Sequence, residues 1–220
     1  MKISSSSISD GNTKYLTNRN SLCSSWSGFT DTESNIVHYH FTMCLDNDEN
    51  TCPIPYRNLG NRTSICIEDP QVTEGEKYFL KIKATNQVDL TSTAESTRFI
   101  VDSTEPDTGE LTVLNPLGSK FQFISSDLQA RWNGFSDSES GIKEYLICVG
   151  TEPGLCDVTE LTAVGNITQF TWFGLSLVHN EEYFVSMKAA NNADLFSNFT
   201  SSYPISVDRT GMPCKVILRV

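Results

Sequence analysis

The chain has 220 residues and is acidic, since 16 Lys and Arg residues against 27 Asp and Glu residues give a formal net charge of −11. Nucleic-acid binding needs a basic patch that neutralises phosphates, so nucleic acid is excluded as an expected partner. Hydrophobic residues make up 38% of the chain, which suffices for small cores. No run of 18 apolar residues occurs, so no membrane insertion is expected within this segment.

A nine-residue phrase occurs twice, as WSGFTDTES at 26–34 and as WNGFSDSES at 132–140. Later blocks recur in the same order, and GEKYFLKIKATNQVDLTS at 75–92 is matched by NEEYFVSMKAANNADLFS at 180–197. The offset between the copies stays at 104–106 residues. Such self-similarity predicts two copies of one folding unit of a common domain size.

The repeat boundaries predict a first domain over 1–104 and a second over 105–209. Residues 210–220 follow the second copy as a new first strand or linker would, so we expect this chain to be a segment of a longer array.

The strands are predicted from short alternating runs of apolar and polar residues. The apolar members of two such runs are Tyr39, Phe41 and Met43 in the first repeat and Tyr145, Ile147 and Val149 in the second. Turn-forming residues follow about every 10 positions, which favours an all-β sandwich in each repeat over a parallel-sheet enzyme fold.

Six aromatic residues at matching places resemble the signature of the fibronectin type III-like module: Trp26, Trp132, Tyr39, Tyr145, Tyr78 and Tyr183. The resemblance places the tryptophans on strand B, the next tyrosines on strand C, and Tyr78 and Tyr183 at the tyrosine corner of strand F. It implies two tandem immunoglobulin-like β-sandwiches. The phrase around each tryptophan is similar to a variant found in large extracellular proteins of eukaryotes.

The acidic part of the repeated phrase falls on the predicted B–C loop. The simpler interpretation is that Asp31 and Asp137 cap this loop, as Asp does in Asx-turns, while Glu33 and Glu139 lie in solvent. In the fibronectin-like fold, the B–C and F–G loops lie at the end where the chain enters. A second interpretation is therefore a calcium site at the junction of the domains, since carboxylate oxygens are calcium ligands. Its candidate ligands are Asp102, Glu105, Asp137, Glu139 and Asp194.

Six of the seven cysteines suggest three disulfides. Cys44 and Cys52 are eight residues apart, as are Cys148 and Cys156, and each pair would bridge a hairpin. Cys23 and Cys66 fall on the neighbouring strands B and E that the resemblance implies. Zinc is the alternative, but the spacing does not match that of a zinc knuckle.

Cys214 is left over, and its expected partner lies outside this segment, either in a following domain or in another molecule.

Three Asn-X-Thr triplets, at Asn61, Asn166 and Asn198, are candidates for N-linked glycans. The first two occupy equivalent positions in the repeats, on the turn before strand E. No other cofactor is expected beyond the calcium ion described above.

An enzyme is not expected. The chain contains no G-x-S-x-G elbow and no phosphate-binding G-x-x-x-x-G-K-[ST] loop. His38 and His40 can face one metal from a strand, but no third ligand is apparent, so they are interpreted as polar surface.

These features predict a secreted, extracellular or cell-surface structural or adhesion module. It would act as a spacer or as a filament or assembly subunit through contacts with other protein chains or further repeats. The alternative is a receptor ectodomain that binds a protein ligand at the elbow between the domains. A third possibility is an accessory module of a secreted enzyme.

Overall fold

The computed structural model describes residues 15–115 and 120–210. Two compact units divide the chain mainly between Thr104 and Glu105, and the short segment 138–141 groups with the first unit. The described residues form seventeen strands and no helix, so none of them belongs to a helix that could cross a membrane. Residues 211–220, where a following repeat was predicted to begin, lie outside the described part.

The first unit is built from eight strands within its described residues. They are β1 (Tyr15–Leu16), β2 (Ser21–Ser25), β3 (Ile36–Leu45), β4 (Ile54–Asn58), β5 (Ser64–Glu68), β6 (Lys77–Asn86), β7 (Thr91–Glu95) and β8 (Phe99–Val101). One sheet has the order β1–β8–β6–β3–β4, with β7 also paired to β6, and β2 pairs with β5 in a second sheet.

The core of the first unit lies between these two sheets. Leu22 of β2 and Ile67 of β5 pack in one cluster with Phe41 of β3 and Ile82 of β6. Phe41 is fully buried and its neighbours at every second position, Tyr39 and Met43, are also buried, as the alternation predicts. A sandwich of two sheets follows from this arrangement.

The second unit is built from nine strands within its described residues. They are β9 (Glu110–Val113), β10 (Phe121–Gln122), β11 (Leu128–Asn133), β12 (Ile142–Gly150), β13 (Thr162–Ala163), β14 (Gln169–Trp172), β15 (Glu182–Asn191), β16 (Thr200–Ser201) and β17 (Ile205–Val207). One sheet has the order β10–β17–β15–β12–β13, with β16 also paired to β15, and the other has the order β14–β11–β9.

The second unit repeats the design of the first. Leu128 of β11, Ile147 of β12 and Val185 of β15 lie in one buried cluster. The short strand β10 runs parallel to β17, just as β1 runs parallel to β8 in the first unit. Both copies of the sequence therefore form the same all-β sandwich, as predicted.

One strand boundary differs from the prediction. Trp132 lies inside β11, but Trp26 directly follows β2, which ends at Ser25. Pairing nevertheless continues past the end of β2, because Trp26 N donates to Thr63 O at 2.9 Å, and the equivalent bond joins Trp132 N to Thr168 O at 3.0 Å.

Candidate functional site

The first half of the repeated phrase builds an aromatic cluster. Trp26 and Phe29 both pack edge-on against Tyr39, with ring centroids 5.8 and 5.6 Å apart. Gly28, between them, has φ of 83°, in the left-handed region that favours glycine. This turn directs two aromatic side chains, three residues apart, onto the same ring.

The second unit has the same cluster. Trp132 and Phe135 each lie 5.5 Å from Tyr145, and Gly134 has φ of 77°. The W-x-G-F motif thus packs the core of each unit. Each aromatic pair stabilises the fold by roughly 0.5–1.5 kcal/mol beyond the contribution of its buried area.

The second half of the phrase fixes the loop that follows. Asp31 Oδ1 accepts hydrogen bonds from the backbone N–H groups of Glu33 and Ser34, each at 2.9 Å. Asp31 Oδ2 accepts a third bond from Asn86 Nδ2 at 2.9 Å, across 55 residues of chain. The bond from Asn86, with those from Ser34 and Glu33, lowers the pKa of Asp31 below its usual value.

Asn86 in turn organises the loop after β6. Its Oδ1 accepts from Val88 N at 3.1 Å and from Leu90 N at 2.8 Å, and the side chain is only 3% exposed. Asp89 has φ of 61°, so it takes the left-handed conformation that is uncommon for residues other than glycine, and that Asn and Asp adopt more readily than most. One buried amide therefore ties the loop after β2 to the loop after β6.

The second unit repeats this network. Asn191 Nδ2 donates to Asp137 Oδ2 at 2.9 Å, and Asn191 Oδ1 accepts from Ala193 N and Leu195 N at 3.1 and 2.8 Å. Asp194 has the same φ of 61° as its counterpart in the first unit. We call the paired side chains Asp31–Asn86 and Asp137–Asn191 the loop clasp.

The loop clasp agrees with the capping interpretation for Asp31. Glu33 is exposed, as expected, but Glu139 is half-buried and accepts a hydrogen bond from Ser138 Oγ at 2.7 Å. The expectation that both glutamates lie in solvent is therefore wrong for Glu139.

Three of the five candidate calcium ligands, Asp102, Asp137 and Asp194, already have other partners. Asp102 is fully buried and accepts from Thr104 N at 3.3 Å, while Glu105 is exposed. Asp194 forms an ion pair with Lys143 at 2.6 Å, which raises the pKa of Lys143. A calcium ion would have to compete with Lys143 for Asp194, and with Asn191 for Asp137. Calcium binding stays a prediction.

The tyrosine corner is present in both units. Thr73 N donates to the hydroxyl of Tyr78 at 3.1 Å, and Val178 N donates to that of Tyr183 at 2.8 Å. Both tyrosines are almost fully buried. Each phenol thus fixes the loop five residues upstream of it.

Within the described residues, three disulfides join the cysteines in the pairs predicted from the sequence: Cys23–Cys66, Cys44–Cys52 and Cys148–Cys156. The first links strands β2 and β5 at directly opposite positions. Gln129 and Thr171 occupy the same register on β11 and β14. Cys214 lies outside the described residues.

The three candidate glycosylation sites are accessible. Asn61 and Asn166 are exposed in the loops before β5 and β14, and Asn198 is exposed just before β16. Asn166 Nδ2 donates to Ile142 O at 3.0 Å. These asparagines can carry glycans only if the protein passes through a compartment that attaches them, so glycosylation stays a prediction.

His38 and His40 lie side by side on β3, with ring centroids 5.0 Å apart. Both are half-buried, and His40 Nδ1 is a buried atom for which the described residues provide no hydrogen-bond partner. Burial, with the nearby charges of His38 and Lys83, lowers the pKa of His40. The pair is therefore less exposed than the polar-surface interpretation predicted.

Comparisons with known proteins agree on the fold. No protein-family model and no curated protein matches the chain. Domains A168–A170 of titin superpose with a TM-score of 0.56 at 15% identity, over 89% of this chain and 62% of that one. This match supports the fold alone.

Two further structures have lower scores. The fibronectin(III)-like modules of CbhA from Clostridium thermocellum give a TM-score of 0.49 at 15% identity, over 94% of both chains. Domains FN1–FN3 of chicken CNTN1 give 0.45 at 15% identity, over 85% of this chain and 62% of that one. A eukaryotic origin stays a prediction. By its sheet order and its two tyrosine corners, the chain itself folds as two tandem fibronectin type III-like sandwiches.

Proposed function

We propose that the chain is a non-enzymatic extracellular module, a segment of a longer repeat array that serves as a spacer or filament subunit. The observation that carries this proposal is the set of three disulfides among the described residues, with the hairpin bridge at the same place in both units. Disulfides persist in oxidising compartments and are rare in the cytosol.

The loop clasp supports a mechanical rather than a chemical role. The same three side-chain hydrogen bonds recur in the second unit: asparagine to aspartate, and two backbone N–H groups to the asparagine oxygen. The asparagine and its aspartate are 54 residues apart there instead of 55. Modules whose loops are fixed in the same way suit an array in which each repeat contacts its neighbours. The acidic net charge of −11 would keep such an array soluble until a specific interface forms.

The titration of Asp31 also argues against acid–base catalysis at the repeated phrase. A general acid needs a raised pKa and a cleft, whereas three hydrogen bonds lower the pKa of this carboxyl. Its oxygens are engaged in holding backbone amides, which leaves the carboxylate a structural task.

An antibody raised against the chain tests the proposal on intact cells of the source organism. The proposal expects labelling without permeabilisation, and recovery of the antigen with an insoluble filament or matrix fraction. Labelling only after permeabilisation would contradict the extracellular assignment. Recovery solely with detergent-solubilised membranes would favour the receptor ectodomain instead.

A further inference from the structure

Strand β15 and the segment that follows it contain an irregularity at Asn198. Phe196 pairs with Ala190, whereas Thr200 pairs with Met187. Three residues on one side thus oppose two on the other, and Ser197 N bonds to Ala189 O at 2.9 Å. Asn198 and Phe199 together oppose Lys188, which is a β-bulge.

The first unit has no bulge at this place. There β7 pairs regularly with β6, from Thr91 opposite Thr85 to Glu95 opposite Lys81. The second unit carries one additional residue, which raises the offset between the copies from 105 to 106. Thr91 and Thr93 stand where the second unit has Phe196 and Phe199. The bulge, the acceptor asparagine and both aromatic residues are therefore particular to the second unit.

The side chains around the bulge form a common outer surface. Ser197 is 5% exposed and turned inward, where its Oγ accepts from Ala189 N at 2.9 Å. Phe196 and Asn198 flank it and are both exposed, as alternation along a strand requires. Lys188 Nζ lies 4.3 Å from the ring centroid of Phe196 and 5.7 Å from that of Phe199.

We propose that the first N-acetylglucosamine of an N-linked glycan at Asn198 packs on the aromatic ring of Phe196. We call this ring the glycan seat. The proposal rests on the extracellular setting proposed above. Phe196 is 41% exposed and Phe199 is 43% exposed, a large apolar area for one turn of a soluble module. A sugar presents apolar C–H groups on one face. Such a face packs well on the flat apolar surface of an aromatic ring.

Lys188 is the third side chain of this surface, beside Phe196 and Phe199. Its ammonium group rests over both rings through a cation–π contact. This flexible end turns to the acetamide oxygen of the sugar, while the ring of Phe196 receives the C–H face. The stem of Lys188 keeps its position on β15, opposite the bulge.

The other two acceptor sites lack such a seat. The residues two positions before Asn61 and Asn166 are Leu59 and Val164. Both are aliphatic and pack against the cores of their units. Asn61 and Asn166 therefore serve as internal controls, whose glycans should contribute little to the stability of either unit.

A thermodynamic cycle in a eukaryotic secretory host tests the seat. The full chain is secreted as wild type, Phe196→Ala, Asn198→Gln and the double variant, each with and without enzymatic removal of glycans. Glycopeptide mass spectrometry gives the occupancy of each asparagine, and calorimetry gives the unfolding midpoint of the second unit. Asn166→Gln is the matched control for losing a glycan.

The expected result is that the Asn198 glycan raises the midpoint by roughly 3–5 °C. Phe196→Ala should abolish this gain. The same substitution in the Asn198→Gln background measures the stability that the ring itself contributes, so that this contribution can be subtracted. Because Asn166 also bonds to Ile142 O, its control is the change in midpoint on enzymatic removal of glycans. Asn166→Gln should leave that change as it is in the wild type, and its effect should not depend on Phe196.

An equal gain from the glycan with and without Phe196 would overturn the proposal, as would an Asn198 left bare while Asn166 is modified. These results leave the extracellular assignment untouched, because the host supplies the secretory pathway. Conversely, bare asparagines in the natural protein would contradict the extracellular setting even if the seat works in the host.

Discussion

At the scale of single residues, one buried amide matters most in each unit. Asn86 joins the loops after β2 and β6, and its own exposure is 3%. If it is shortened to alanine, the N–H groups of Val88 and Leu90 lose their acceptor. Loss of a buried hydrogen-bond partner costs about 1–3 kcal/mol.

We therefore expect Asn86→Ala to lower the stability of the first unit by about 2 kcal/mol. Asn191→Ala should act equally on the second unit. Calorimetry of the full chain measures both, with Gln87→Ala as the exposed neighbouring control. An effect no larger than that of the control would show that the loop clasp does not stabilise the fold.

His40 makes the first unit sensitive to mild acid. Its pKa in the folded state lies below the usual 6.5, because burial and the charges of His38 and Lys83 disfavour the protonated ring. The unfolded chain therefore binds more protons as the pH falls below 6.5, and stability decreases through that interval until the lowered pKa is reached.

We expect His40→Gln to flatten this dependence in a series of unfolding midpoints measured between about pH 7.5 and pH 5. His179→Gln, in the second unit, is the matched control and should leave the slope of the first unit unchanged. An unaltered slope in the His40 variant would assign the acid sensitivity to other groups.

At the scale of the strands, the two units differ by one cross-link. Cys23–Cys66 joins β2 to β5 across 43 residues, and Gln129 and Thr171 are register partners at the same place in the second unit. A disulfide that closes a loop of this length contributes roughly 3–4 kcal/mol, chiefly by restricting the unfolded chain.

Replacing Cys23 and Cys66 with serine should therefore destabilise the first unit by roughly 3–4 kcal/mol. The reciprocal change, Gln129→Cys with Thr171→Cys, should form a bridge and raise the unfolding midpoint of the second unit. Thiol titration and calorimetry check both directions. Two free thiols in the reciprocal variant would mean that the register does not suffice for bridge formation.

Much of the strand pattern could be predicted, because each signal for it is local. Alternation predicted which residues of β3 and β12 face inward, and the resemblance to the fibronectin type III-like module placed Tyr78 at the tyrosine corner. The partner of Asp31 could not be read in this way, since Asn86 lies 55 residues away and only the folded sheets bring them together.

The bulge at Asn198 did leave a signal in the sequence, because the offset between the repeats rises by one residue there. No sequence signal indicated that Glu139 is half-buried, or that His40 Nδ1 is buried without a hydrogen-bond partner among the described residues. Both depend on what packs over a side chain, which a periodic pattern does not specify.

At the scale of the whole molecule, the unfolding midpoint of the full chain tests calcium binding, whichever of the candidate residues are the ligands. The five candidate ligands are Asp102, Glu105, Asp137, Glu139 and Asp194. If they hold an ion, calcium should raise the unfolding midpoint relative to chelator. Magnesium at equal concentration controls for ionic screening. Identical midpoints and identical small-angle scattering in all three conditions would dismiss the calcium prediction.

The proposed extracellular function depends on the compartment in which the chain folds. Disulfides, glycans and an adhesive or spacer role all require passage through the secretory pathway, whereas the sandwich fold itself does not. A single experiment on the natural protein can read these features together.

The most direct test is a non-reduced peptide map of protein purified from its source, analysed by mass spectrometry. We expect the three pairs Cys23–Cys66, Cys44–Cys52 and Cys148–Cys156 as cystines, glycans on the acceptor asparagines, and Cys214 joined to a peptide outside this segment. Free cysteines throughout and bare asparagines would contradict the extracellular array and leave only the fold standing.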